Sequence, residues 1–145
     1  MNKKIVGLIL FLLSLIPSCV FAFEPPQPPR WLWVDSTDMQ GGWIDSETLK
    51  YYKTYEYSHN GHRCVNYWVM YYMTEDNTHS LERVVMDFDC RATKTISIAI
   101  YNDKNEMIDS YRNEYSSFTD IIPGTFAEAE YDLSLIHISE PTRPI

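Results

Sequence analysis

The chain has 145 residues and a formal net charge of −8, because 20 acidic side chains outnumber 12 basic ones. This excess of negative charge repels phosphate backbones and no basic cluster occurs in the sequence, which argues against nucleic acid as a partner. The length fits a single domain with an ordinary core. Eleven tyrosines and four tryptophans exceed what such a core needs, and these residue types are enriched at recognition surfaces.

The N-terminal residues 1–22 have the three-part pattern of a secretory signal peptide. A short basic start precedes an apolar run at residues 5–16, which is too short for the ~20 residues of a membrane-spanning helix. Small residues at the cleavage-site positions place the cut after Ala22. The pattern predicts an extracytoplasmic protein (cell surface, periplasm or secreted), with a lipid anchor through Cys19 as the weaker alternative.

The next segment leads from the cleavage site into the domain. Residues 23–30 contain four prolines and are predicted to form an extended, polyproline-like leader. A single domain is then expected over residues 31–132. Its first elements are a strand at 31–36, a turn at Gly41-Gly42, a short strand at 43–45 and a helical turn at 46–49.

The middle of the chain has the pattern of consecutive β-hairpins. Ile96, Ile98 and Ile100 alternate with small residues, and this strict period of two is typical of a strand. The dipeptide Asn60-Gly61 is favoured in hairpin turns whose two central residues both have positive φ. The expected strands cover residues 51–57, 63–73, 81–90, 93–101 and 106–112.

A helix is expected after the last hairpin. Thr125 followed three residues later by Glu128 is a capping-box pattern, which places a helix N-terminus at Thr125. Hairpins followed by a helix indicate an α+β fold. We therefore expect an antiparallel sheet of about six hairpin-connected strands, with a C-terminal helix packing on one face.

The final segment, from Leu133 to Ile145, resembles a translated sequencing adapter. Every residue from Leu133 to Arg143 matches the translation of a transposase-end adapter in this reading frame. The sequence therefore predicts that the domain is truncated near Asp132 and that its helix is incomplete.

Two cysteines, Cys64 and Cys90, follow the predicted signal peptide, and export favours disulfides over free thiols. If the hairpin between their strands turns at Asn77, the two cysteines lie opposite each other and close enough to bond. A shift of one residue in this register would place them on opposite faces of the sheet. They are thus candidates for a disulfide.

The segment from His59 to Cys64 contains two histidines and a cysteine, which are potential zinc ligands. Their spacing matches no well-defined zinc pattern, and a hairpin turn accounts for exposed histidines, so we expect neither a metal nor another cofactor. Asp87 and Asp89 would share one strand face, where a solvated edge is a simpler interpretation than acid–base catalysis. No familiar catalytic motif occurs, and we predict that the chain is not an enzyme.

Several short motifs follow one another in a recognisable order. They are a tryptophan-containing first strand, Trp43-Ile44-Asp45 with residues 46–49, Asp89-Cys90, residues 96–101, and Ile122-Pro123-Gly124-Thr125. This order resembles the surface-adhesin protein E family over residues 31–131.

The resemblance implies a small exported bacterial protein, often a lipoprotein, with a disulfide between its antiparallel sheet and its C-terminal helix. Cys90 would then pair with a helix cysteine beyond Asp132. Cys64 lies outside the family pattern, which leaves its pairing with Cys90 open. The resemblance also implies adhesion to host extracellular-matrix proteins.

The expected function is therefore non-enzymatic binding of a protein ligand. The aromatic residues proposed as contacts lie in one strand, with Tyr67 and Tyr71 on one face and Trp68 and Tyr72 on the other. The alternative is a structural or accessory protein of the cell envelope in the periplasm.

Overall fold

The computed structural model describes residues 26–113 and 115–139. The predicted signal peptide, including Cys19, lies outside this part of the chain. Two short 3-10 helices, Ser46–Thr48 and Tyr57–His59, lie between strands. The remaining elements are β1 (Trp31–Ser36), β2 (Gln40–Asp45), β3 (Lys50–Lys53), β4 (Arg63–Met73), β5 (Thr78–Asp87), β6 (Ala92–Tyr101), β7 (Met107–Arg112), β8 (Thr119–Asp120) and the helix α1 (Phe126–Ser139).

The strands form one antiparallel sheet in the order β1-β2-β4-β5-β6-β7, while β3 also pairs with β4 and β8 with β6. With α1 at its C-terminal end, this confirms the α+β fold class. The sheet has eight strands instead of about six, because short strands such as β8 have no pattern of their own. Among the residues that the structure describes, no helix is long and apolar enough to cross a membrane.

The core lies between α1 and one face of the sheet, which we call the inner face. Alternation along β4 directs Val65, Tyr67 and Val69 to this face, where all three are fully buried. The helix contributes Tyr131, whose ring centroid lies 5.5 Å from that of Phe88. The buried cluster also includes Ile44, Val84, Met86 and Ile121.

The predicted turn at Gly41-Gly42 is wrong, because both glycines lie inside β2. A Cβ on Gly41 would come within 2.9 Å of the Trp43 ring, and one on Gly42 within 3.0 Å of the Phe126 ring. Glycine is needed here because aromatic rings press against the backbone from both faces of the sheet. The chain reverses just before, over residues 37–39.

The helix begins at the predicted position. The Thr125 carbonyl accepts hydrogen bonds from the backbone N–H groups of Glu128 at 3.1 Å and Ala129 at 3.3 Å. The capping differs in detail from the predicted box, because the Glu128 carboxylate accepts from the Gly124 N–H at 2.9 Å. The Thr125 hydroxyl instead donates to the Ile122 carbonyl at 2.7 Å.

The helix continues through residues 133–139, which the sequence attributed to the adapter. Leu133 and Leu135 pack against the buried cluster. The described part of the proline-rich leader, residues 26–30, contains a turn at 28–30 and is not extended throughout.

The predicted register of the β4–β5 hairpin is wrong, because the chain reverses earlier than expected. The Asp76 carboxylate accepts from the Thr78 N–H at 3.1 Å and hydroxyl at 2.7 Å, and Thr78 already begins β5. Cys64 consequently lies opposite Asp87 instead of Cys90. Within the described chain neither cysteine forms a disulfide.

Candidate functional site

Asp87 is the centre of a cluster of ionisable side chains at one end of the sheet. It is the last residue of β5, and its side chain is fully buried. Its Oδ1 accepts hydrogen bonds from the backbone N–H groups of Asp89 at 2.9 Å and Cys90 at 3.2 Å. These bonds turn the chain into the β5–β6 loop and fix the carboxylate so that Oδ2 faces the loop between β3 and β4.

A tight turn brings two histidines to that oxygen. Asn60 has φ −62° and ψ 124°, and Gly61 has φ 82°, which are the values of a type II turn. The His62 N–H closes the turn by donating to the His59 carbonyl at 3.0 Å. The Nδ1 atoms of His59 and His62 each lie 2.7 Å from Asp87 Oδ2.

The prediction that both central residues of this turn have positive φ is therefore wrong for Asn60. A type II turn needs glycine only at its second central position, and Gly61 meets that need. The turn matters because His59 and His62 are its first and last residues. In a β-turn the Cα atoms of these two residues lie within 7 Å of each other. Both rings then reach one carboxylate oxygen.

Cys90 completes the cluster from the β5–β6 loop. Its Sγ lies 3.5 Å from His59 Nδ1. One potential ligand atom from each of four residues lies within 4.8 Å of all the others: His59, His62, Asp87 and Cys90. The sequence singled out Cys64 as the sulfur nearest to these histidines, but that thiol is buried opposite Asp87 and is not a member of this group.

The surroundings shift the proton affinities of the cluster in opposite directions. Burial would raise the pKa of Asp87, but hydrogen bonds from His62, His59 and Cys90 lower it to about 2. Desolvation, reinforced by the Asp87 carboxylate, raises the pKa of Cys90 to about 11. Desolvation also raises the pKa of Cys64 to about 12. Both thiols therefore keep their protons at neutral pH.

Neighbouring side chains hold the loops that carry the cluster. The Phe118 ring lies against the His59 ring, with 4.3 Å between their centroids. The Lys94 ammonium lies 4.6 Å from the Phe118 ring centroid and forms an ion pair with Glu56. The contact with Phe118 limits the movement of the His59 ring.

The two aspartates do not form the solvated edge that the sequence indicated. Asp87 is fully buried against the histidines, and Asp89 forms an ion pair with Arg63 at 2.7 Å. The strand ends at Asp87, so Asp87 and Asp89 do not share one strand face.

The aromatic residues proposed as partner contacts fall into two groups. Tyr67 is fully buried and Tyr71 packs against the core. Their hydroxyls donate to the two carboxylate oxygens of Glu130 on α1, with 2.5 Å between Tyr67 Oη and Oε2. The expectation that this pair is exposed is therefore wrong, because α1 covers the inner face.

The opposite side of the sheet, which we call the outer face, carries the second group. Trp68 and Tyr72 alternate with the inner-face residues of β4 and are half-buried. In the strand pairing, Trp33 lies beside Trp43, which lies beside Met70. The two indole rings contact each other edge to face with 5.1 Å between centroids, and Trp33 is 51% exposed.

Comparisons with protein-family models, curated proteins and solved structures find no match to this chain. The resemblance to the surface-adhesin protein E family is neither supported nor contradicted by them and stays a prediction. The two places described above, the ionisable cluster and the aromatic outer face, therefore carry the functional argument.

Proposed function

We propose that this protein is an exported, non-enzymatic binding module that acts as a bacterial surface adhesin for host extracellular-matrix proteins. The observation that carries the proposal is the row of large side chains across the outer face. The signal-peptide pattern and the motif order in the sequence support the same function.

The outer face suits a protein ligand because its aromatic side chains lie side by side on a rigid sheet. Trp33, Trp43 and Met70 occupy adjacent strands, so their positions are fixed by the ladder hydrogen bonds. Tryptophan offers a large contact area at a small cost in side-chain entropy, and it is enriched among the residues that dominate binding energy. Extended backbone in a matrix protein would lay apolar side chains against the exposed part of the Trp33 ring.

The edge-to-face contact with Trp43 supports this role for Trp33. Trp43 is buried and holds the Trp33 ring from one side, while about half of Trp33 remains exposed to a partner. A ring that is already oriented loses little freedom on binding. Trp33 is therefore the residue whose removal should weaken binding most.

The test is surface plasmon resonance of the purified protein on immobilised matrix proteins. We expect saturable binding that Trp33→Ala weakens by roughly tenfold or more. Tyr111→Ala is the matched control, because Tyr111 is 61% exposed in β7 but does not lie on the outer face. Tyr111 pairs with Ile98, and Ile98 pairs with Glu82, which lies opposite the inner-face residue Val69. We expect this variant to bind like the parent.

Two outcomes contradict the proposal. The first is the absence of saturable binding to any matrix protein, and the second is an equal effect of Trp33→Ala and Tyr111→Ala. Protease added to intact cells separates the alternative. A protein that is fully protected from cleavage lies in the periplasm, which favours a structural or accessory role in the envelope.

A further inference from the structure

We propose that the ionisable cluster binds a Zn²⁺ ion through one atom from each of four side chains: His59, His62, Asp87 and Cys90. The site is independent of the outer face and of the adhesin proposal. It departs from the expectation, drawn from the sequence, that the chain holds no metal.

The ligand types select the ion. Zn²⁺ is bound in proteins by imidazole nitrogen, thiolate sulfur and carboxylate oxygen, and structural sites are tetrahedral with four protein ligands. Mg²⁺ and Ca²⁺ instead require six or more oxygen ligands, and this cluster offers one carboxylate. Two imidazoles with one thiolate and one carboxylate therefore fit Zn²⁺ among the common divalent ions.

The distances fit as well. Bonds of about 2.0–2.3 Å in a tetrahedral site place neighbouring ligand atoms about 3.3–3.7 Å apart. The Sγ of Cys90 already lies 3.5 Å from His59 Nδ1. The two imidazole nitrogens lie 2.7 Å from Asp87 Oδ2, so an ion would require these two separations to widen by about 0.7 Å.

The ligands are held in place by the backbone before any ion binds. The type II turn sets the two histidines, and the two N–H bonds to Asp87 Oδ1 leave Oδ2 for the ion. Hydrogen bonds of this kind to the second atom of a ligand orient it and strengthen metal binding. The Phe118 ring limits rotation of His59.

Binding of the ion would change the positions of hydrogen atoms on the histidines and on Cys90. Without an ion, each Nδ1 carries hydrogen to donate to Asp87 Oδ2, whereas the ion requires the neutral tautomer with hydrogen on Nε2. The Cys90 thiol releases its proton to solvent as the sulfur binds. Four protein ligands leave no open position for a substrate, so the ion would tie the turn before β4 to the β5–β6 loop and would not catalyse a reaction.

Cobalt(II) is the probe, because its absorption reports both sulfur ligation and tetrahedral geometry. The whole exported chain is purified, stripped with a chelator under reducing conditions and titrated with Co²⁺ in the absence of oxygen. We expect one Co²⁺ per chain, intense ligand-field bands, and a sulfur-to-cobalt charge-transfer band in the near ultraviolet. Added Zn²⁺ should displace the cobalt and remove all of these bands.

Three variants assign the ligands. Cys90→Ser should abolish the charge-transfer band, and His62→Gln should keep that band while weakening affinity roughly 10- to 100-fold or more. Cys64→Ser is the matched control and should bind cobalt like the parent. Circular dichroism confirms that each variant is folded. Cys90 is exposed, so its replacement by serine leaves the core intact.

The proposal is overturned by a parent chain that shows no cobalt spectrum, which would leave only a hydrogen-bonded cluster. It is also overturned if the charge-transfer band survives in Cys90→Ser or disappears in Cys64→Ser. Alkylation of the protein as isolated gives a last test. A Cys90 thiol that reacts after chelation alone supports a metal, whereas one that reacts only after reduction is a disulfide and refutes the site.

Discussion

Glu130 on α1 should make the stability of this protein fall as the pH rises from about 4.5 to 7. Glu130 is 2% exposed as a residue, and its carboxylate accepts hydrogen bonds from the hydroxyls of Tyr67 and Tyr71. Burial raises its pKa from the ordinary 4.5 to about 7, because the hydrogen bonds from the two phenols only partly offset the loss of hydration. The nearby Glu82 carboxylate raises it further.

The sign follows from where the proton is held more tightly. Between pH 4.5 and 7 the folded protein keeps the Glu130 proton and the unfolded chain releases it, so raising the pH favours unfolding. A difference of this size corresponds to about 3 kcal/mol, at about 1.4 kcal/mol for each pH unit. The contribution is complete below pH 4.5 and is lost as the pH passes through 7.

The variant that isolates this group is Glu130→Gln, which cannot ionise but still offers a carbonyl oxygen to one phenol. Urea unfolding followed by circular dichroism at pH 4.5, 6 and 8 gives the free energy of unfolding of both proteins. We expect the difference between variant and parent to change by about 3 kcal/mol in favour of the variant from the lowest to the highest pH. Taking the difference cancels the titration of all other groups.

Asp132→Asn is the matched control, because it removes a carboxylate from an exposed position of the same helix. Its pH profile should run parallel to that of the parent. If the Glu130→Gln profile also runs parallel to the parent profile, then Glu130 is ionised throughout this range. Burial between α1 and the sheet would then not govern the pKa of Glu130, and the reasoning from the phenol contacts would be wrong.

Three further outcomes are expected. Zn²⁺ at 100 times its dissociation constant should stabilise the parent by about 2.7 kcal/mol in thermal unfolding, and this gain should vanish in Cys90→Ser. Gly42→Ala should destabilise by about 1–3 kcal/mol in urea unfolding, because its Cβ would lie 3.0 Å from the Phe126 ring; an unchanged midpoint would show that the ring moves freely. The lowered pKa of Asp87 contributes stability that is present above about pH 3.8 and is lost as the pH falls towards 2. Urea unfolding at both ends of this range should therefore show a smaller loss of stability in Asp87→Asn than in the parent, and an equal loss would contradict this role.

Patterns that depend on neighbouring residues predicted much of the fold. The long strand β4 has the predicted bounds, and the helix begins after Thr125 as the capping pattern indicated. The period of two in β6 located that strand to within one residue. These signals work because strand alternation and helix capping depend on a few adjacent side chains.

Features that depend on distant contacts were not predictable in the same way. Gly41 and Gly42 look like a turn, and only the rings of Trp43 and Phe126 explain why glycine occupies a strand. Burial of Tyr67 under α1 likewise depends on which face the helix covers, and both faces of β4 carry aromatic residues. The sequence identified these side chains but did not divide them between core and surface.

The ionisable cluster shows how one register decides a site. Antiparallel pairing of β4 with β5 returns the chain to the same end of the sheet, so the turn before β4 must meet the loop after β5. With Cys64 placed opposite Asp87, the histidines just before β4 meet the Asp87 carboxylate and the thiol of Cys90. A hairpin reversed at Asn77 instead would have put Cys90 across from Cys64 and moved Asp87 along the strand. The correct turn, set by the Asp76 side chain, therefore determines whether the sulfur next to the histidines belongs to a disulfide or to a metal site.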